Sequence, residues 1–150
     1  MGFTYYSGPE GDVVEIKPAS AFTRGDLIML TSASSASRIG ELMASGNDIF
    51  GVAEADSSKS INNVVPVRIP DADTVFVASA HSATGSAMTT GQEFDVSYAI
   101  ANGGQYVTTS ADSVRVVIVR GTTGLNAMDQ STTSQVAVKL IRHAGNLELS

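Results

Sequence analysis

The chain has 150 residues, of which 43% are hydrophobic, 16% charged and 6% aromatic, and its net charge is −6. That length suits one domain with a sizeable core, and the acidic balance argues against nucleic acid, which asks for clustered Lys and Arg. There is no cysteine, so disulfides and thiolate metal sites are excluded; a weakly charged surface rich in Ser, Thr, Asn and Gly suits a protein that lies against other protein.

Residues 1–11 read as an arm. Phe3, Tyr5 and Tyr6 stand among Gly2, Gly8, Pro9 and Gly11, with neither the basic nor the apolar region of a signal peptide. Burying three rings gains roughly 11–19 kcal/mol gross, and ordering such an arm costs roughly 11–22 kcal/mol. The arm therefore orders only where it also finds hydrogen-bond partners. Two placements remain open: a sheet edge on a neighbouring molecule, or an ordinary first strand on its own domain. Phe3, Tyr5 and Tyr6 are the candidate contacts to a partner.

Asp12 to Lys17 alternates as a strand, and Arg24-Gly25-Asp26 is a turn feeding the apolar strand Leu27 to Leu30. The same tripeptide is read by integrins on exposed loops, but Gly-Asp before a strand is ordinary turn chemistry. Thr31 to Ser37 has no periodicity and reads as a surface loop. Arg38 to Met43 fits either a turn or two of helix or a poor strand. Ile49 to Ala53 is a short strand in which Gly51 suggests a bulge or a close backbone approach. Val64 to Ile69 and Val75 to Ala80 both have strand character, and the breakers Pro70 to Thr74 between them predict a hairpin. Pro66, with no N–H, belongs on an edge, at a bulge, or where its nitrogen needs no partner.

His81 to Gln92 reads as a long loop. Phe94, Val96, Tyr98 and Ile100 alternate on one face, and Asn102-Gly103-Gly104 turns the chain into Gln105-Tyr106-Val107, a second hairpin. Val114 to Val119 reads as a strand buried on both faces, Gly121 to Ser134 as a loop, and Val136 to Ile141 as the closing strand. Leu147 and Leu149 alternate in the tail, which suits further pairing. No internal repeat is visible. The expected architecture is all-β with less than about a tenth helix: a small barrel with long Ser/Thr/Gly-rich loops, residues 12–150 forming a single domain behind the arm 1–11. No apolar run approaches the ~18 residues of a membrane helix.

Chemistry is sparse. His81 and His143 are the only histidines, and Ser79, Ser82 or Ser86 near His81 lacks a nucleophile elbow. Asp71 with Asp73, and Glu10, Asp12 and Glu15, form acidic groups without the spacing of a calcium loop. Glu41, Glu54 and Glu93 do not resemble a glycosidase pair with its sugar platforms. Phosphate-binding glycine motifs are absent. No catalytic, cofactor or metal residue is assigned, and the chain is expected not to be an enzyme.

The order Gly25-Asp26-Leu27-Ile28-Met29-Leu30, Ile49-Phe50-Gly51-Val52-Ala53, then the Val64 to Ala80 stretch resembles tailed-phage head decoration (cement) proteins of the β-barrel, or β-tulip, type. Gly91 to Val96 and Asp129 to Val138 look like that family's second half, so the resemblance spans most of 12–142. It implies a structural virion protein on the outer surface of an icosahedral capsid, binding the major capsid protein and clamping capsomers, often as a homotrimer. The alternative is a carbohydrate-binding or adhesin-like β-domain, for which Tyr98 and Tyr106, half-buried by alternation, are the available rings. A trimeric β-barrel enzyme such as a nucleotide hydrolase lacks its ligand motif.

Overall fold

The computed structural model describes residues 2–34, 37–43, 49–58, 64–81, 88–99, 104–109, 116–122, 127–128 and 134–141. Among them there is no helix. The strands are β1 (Thr4–Ser7), β2 (Asp12–Pro18), β3 (Leu27–Ser34), β4 (Ser37–Leu42), β5 (Gly51–Ala53), β6 (Val65–Ile69), β7 (Val75–His81), β8 (Glu93–Ala99), β9 (Gly104–Thr108), β10 (Val116–Arg120) and β11 (Ser134–Leu140). The all-β expectation holds, but the single barrel expected over 12–150 is two. The first closes in the order β2-β4-β3-β5-β6; the second runs β7-β11-β10-β8-β9 and closes by pairing β9 back on β7. Alternation marks strands and their inner faces, yet it carries no information on which edges meet.

The two barrels have the same topology. In each, the first strand pairs in parallel with the third, β2 with β4 and β7 with β9, and the remaining neighbours are antiparallel. Matched positions also carry matched bonds. Asp26 N–H donates to Thr23 O at 3.1 Å, as Gln92 N–H does to Thr89 O at 3.1 Å. In the same turns, Thr23 N–H donates to Asp26 Oδ2 at 2.9 Å and Thr89 N–H to Gln92 Oε1 at 2.8 Å. Gly25 and Gly91, both at positive φ, donate to Ala53 O and Ile118 O at 2.8 Å each. The last strands read Val65-Pro66-Val67-Arg68-Ile69 and Val136-Ala137-Val138-Lys139-Leu140. The fold is an internal duplication, a correction to the reading that no repeat is present.

The hairpin expected across Pro70 to Thr74 does not form, although both of its strands do. β6 has β2 on one edge and β5 on the other, while β7 has β11 on one edge and β1 followed by β9 on the other. Neither strand has an edge left for its sequence neighbour, so the five residues are the crossover between barrels. Thr74 anchors it: its hydroxyl donates to Pro9 O at 2.6 Å and accepts from Asp71 N–H at 2.9 Å. Pro66 lies beyond the last β5 residue paired with β6, and its carbonyl accepts from Glu54 N–H at 3.0 Å. Since N and C=O of a strand residue face the same neighbour, its ring nitrogen faces Glu54 just past the end of β5, and proline there forgoes only the terminal bond of that ladder.

One further expectation changes. Within the stretch Thr31 to Ser37, expected as a loop, the described residues Thr31 to Ser34 and Ser37 are strand, because β3 and β4 continue pairing out to Ser34↔Ser37 past an irregularity between Leu30 and Ser32; a hydroxyl-rich ribbon shows no apolar alternation although its backbone is laddered. Of the two readings open for Arg38 to Met43, helix or poor strand, the strand forms, over Ser37–Leu42. The β8–β9 hairpin forms, with Ala99↔Gly104 as its last pair. Gly51 makes the close approach its presence suggested: a Cβ there would stand 2.5 Å from Arg68 O. The tail pairing proposed for Leu147 and Leu149, like His143, lies outside the described residues.

Each barrel encloses apolar side chains. Ile16, Phe22, Ile28, Phe50 and Val67 fill the first. Phe76, Val96, Val107, Ile118 and Val138 fill the second, in one cluster with Leu27, Met43 and Val52 from the outside of the first barrel. Apolar surface removed from water therefore holds the barrels together as well as closing each. One polar group sits in that seam. Gln105, 1% exposed, reaches from β9 to the first barrel, where its Nε2 donates to Leu27 O at 2.9 Å and Met43 O at 3.2 Å. Its Oε1 accepts from Leu27 N–H at 2.5 Å. The side-chain amide thus stands in for a strand residue.

Candidate docking surface around the first two strands

The arm lies on its own domain. β1 pairs antiparallel with β7, Thr4 opposite Val77 and Ser7 opposite Val75, through an irregularity between Tyr5 and Ser7. This supplies the hydrogen-bond partners that burial of the rings alone could not replace. Phe3 is 2% exposed within the shared core, and its N–H donates to Gly25 O at 2.6 Å. Phe3 is accordingly a core residue, which corrects its assignment as a contact to a partner. Tyr5 and Tyr6 stay 39% and 48% exposed. The Tyr5 hydroxyl donates to Gly8 O at 2.5 Å, folding the ring over the turn into β2.

Behind β1, where the barrels diverge, lies a cleft of about 570 Å³ lined by Thr4, Tyr5, Glu10, Arg24, Glu54 and Arg68 over a floor that includes Phe76 and Val52. The pairing registers explain its position. Leu27, Val52, Arg68 and Val13 are directly opposite one another in turn, so they share the outer face of the first barrel. Leu27 and Val52 are buried, and Val13 is exposed; Arg68 stands at the margin. Its guanidinium is held by Glu54 and donates to Glu10 O at 2.7 Å. The Arg24-Gly25-Asp26 turn is pinned: Arg24 N–H donates to Asp56 Oδ1 at 2.8 Å, and the Asp26 carboxylate accepts from both the Thr23 N–H and its hydroxyl.

The other candidates are dispersed. His81 meets Tyr106 edge-on at 5.8 Å between ring centroids. Asp73 carries the Lys139 ammonium at 3.3 Å. Tyr98 is 45% exposed. Among the described residues no three metal-ligating side chains gather, and no helix is long and apolar enough to cross a membrane. The edge of β2 that no described residue covers escaped the reading of the sequence, since an edge is a property of pairing; the shared pattern Val-x-Val-basic-aliphatic in residues 65–69 and 136–140 was the available signal. The sequence matches no protein-family model and has no match among curated proteins.

Proposed function

We propose that this chain is a structural virion protein, a decoration protein that binds the outer surface of an icosahedral phage head through the major capsid protein and works as a homotrimer. The observation that carries the reading is the ordered strand β1 with Tyr5 and Tyr6 exposed. Rigid, half-exposed tyrosines lose little conformational freedom on binding and are enriched among residues that dominate interface energies. The barrel architecture agrees with the resemblance to cement proteins, and closed rings are the usual outcome of head-to-tail contacts. The test is to mix wild-type and Tyr5→Ala/Tyr6→Ala protein with expanded heads that lack decoration and to count bound copies. Loss of several kcal/mol, each ~1.4 kcal/mol being tenfold, is expected for the double variant. No binding by wild type to its own phage's heads rejects the proposal.

One observation favours a second reading, a carbohydrate-binding or adhesin-like domain: Tyr98 presents its ring to solvent, as a sugar platform requires. A glycan array with wild-type and Tyr98→Ala protein decides it.

A further inference from the structure

The duplication allows one barrel to be used as the template for the other. In the second barrel, the far end of β7 pairs with β9 through Ala80 and His81, and the near half of the same edge is covered by β1 at Val75 and Val77. In the first barrel, the far end of β2 pairs with β4 through Lys17 and Pro18. Val13 matches Val75, because it lies opposite Arg68 as Val75 lies opposite Lys139. Among the described residues nothing covers the near half of the β2 edge.

Which groups stand open follows from strand alternation. Ala19 N–H donates to Gly40 O on β4 at 2.8 Å, so Lys17, Glu15 and Val13 direct their main-chain groups to that side, and Asp12, Val14 and Ile16 direct theirs to β6. The N–H and C=O of Val13 and Glu15 therefore have no ladder partner among the described residues, in the place where β1 completes the second barrel. The side chains describe what would fit. Val13 is 49% exposed. Glu10, Asp12 and Glu15 are exposed acids that take part in no ion pair among the described residues. Of the cations, Arg68 is engaged by Glu54 and Lys17 lies at the end that β4 covers.

We infer that the β2 edge is a strand-addition site: an extended segment of a partner protein, with Lys or Arg alternating with β-branched residues, pairs antiparallel with Val13 and Glu15. Main-chain bonds supply affinity, and the alternating side chains supply choice of partner. The site goes beyond the capsid reading and stands or falls apart from it.

Uniformly 15N-labelled full-length protein tests it. In the free protein, Val13 and Glu15 amides should exchange with solvent quickly, while those of Val14 and Ile16, and of Val75 and Val77, are protected. The probe is the blocked pentapeptide acetyl-Thr-Lys-Ile-Val-Thr-amide. It should shift the Val13 and Glu15 amides saturably with a Kd of about 1 mM or tighter. Replacing its Lys by Glu should weaken binding about tenfold, the scale of one charge-assisted bond, and N-methylation of the residue facing Glu15 should abolish it without altering the protein. Protection of Val13 and Glu15 in the free protein, which would mean that the edge is already covered by its own chain or by a second copy, overturns the inference. So does undiminished binding of the N-methylated peptide, a response centred on β7 instead of β2, or no saturation up to about 10 mM.

Discussion

Replacing Gln105 by Leu should uncouple the two barrels at their seam. The side chain is 1% exposed, so among the described residues the change leaves Leu27 N–H without an acceptor and Met43 C=O without a donor; Leu27 C=O retains Met43 N–H at 2.9 Å. Each orphaned buried group costs about 1–3 kcal/mol, and two of them cost about 2–6 kcal/mol, a large share of the roughly 5–15 kcal/mol that a domain has in total. Leu is close to Gln in volume, so no cavity offsets or adds to that figure. Urea unfolding followed by circular dichroism measures it, with Gln135→Leu on the outer face of β11 as a control expected within about 0.5 kcal/mol. A loss below about 1 kcal/mol for Gln105→Leu would refute the view that the amide substitutes for a strand residue in the seam.

Phe3→Ala should lose about 3–5 kcal/mol of stability as a large core truncation, whereas Tyr6→Ala should stay within about 0.5 kcal/mol; equal thermal midpoints for the two variants would place the arm off the domain. Gly51→Ala should cost about 1–3 kcal/mol by overpacking, because its Cβ would stand 2.5 Å from Arg68 O and 2.6 Å from Val67 Cγ1. Gly91→Ala should cost about 1–2 kcal/mol from its left-handed backbone alone, since nothing lies within 4 Å of a Cβ there; chemical denaturation measures both, and a loss beyond about 3 kcal/mol for Gly91→Ala would contradict the open space described. Sedimentation at tens of micromolar should show the trimer, with a monomer counting against self-association in solution.

Residues whose inner and outer faces differ were legible in the sequence. Val65, Val67 and Ile69 announce β6, and the Gly25-Asp26 turn announces β3. The Asn102-Gly103-Gly104 run likewise announces the β8–β9 hairpin. Pairing was not legible, because a five-residue link suits a hairpin and a crossover equally, and only the occupation of both β6 edges by β2 and β5 decides against the hairpin. The outer half of β3 was missed for a different reason: Thr31 to Ser34 pairs with β4 without an apolar face, so its order comes from the backbone ladder. Of the candidate contacts, Tyr5 and Tyr6 are exposed as expected, while Phe3 has an apolar cluster of its own to join. Composition alone cannot distinguish an arm that seeks a neighbour from one that finds β7.

The order of the strands along the chain also has a temporal meaning. Strands β2 to β6 are contiguous, so the first barrel has all its edges available once β6 has been synthesised, before any of the second exists. β1 precedes both, yet its partner is β7, and Phe3 joins a cluster whose other members come largely from the second half. During synthesis, which delivers N-terminal regions first, β1 is thus made before either barrel yet settles among the last, since its partner strand and most of the cluster that Phe3 joins emerge only with the second barrel. In refolding followed by pulsed hydrogen exchange, Val14 and Ile16 should gain protection before Val75 and Val77, whose amides close only when the first strand of the chain arrives as the final latch.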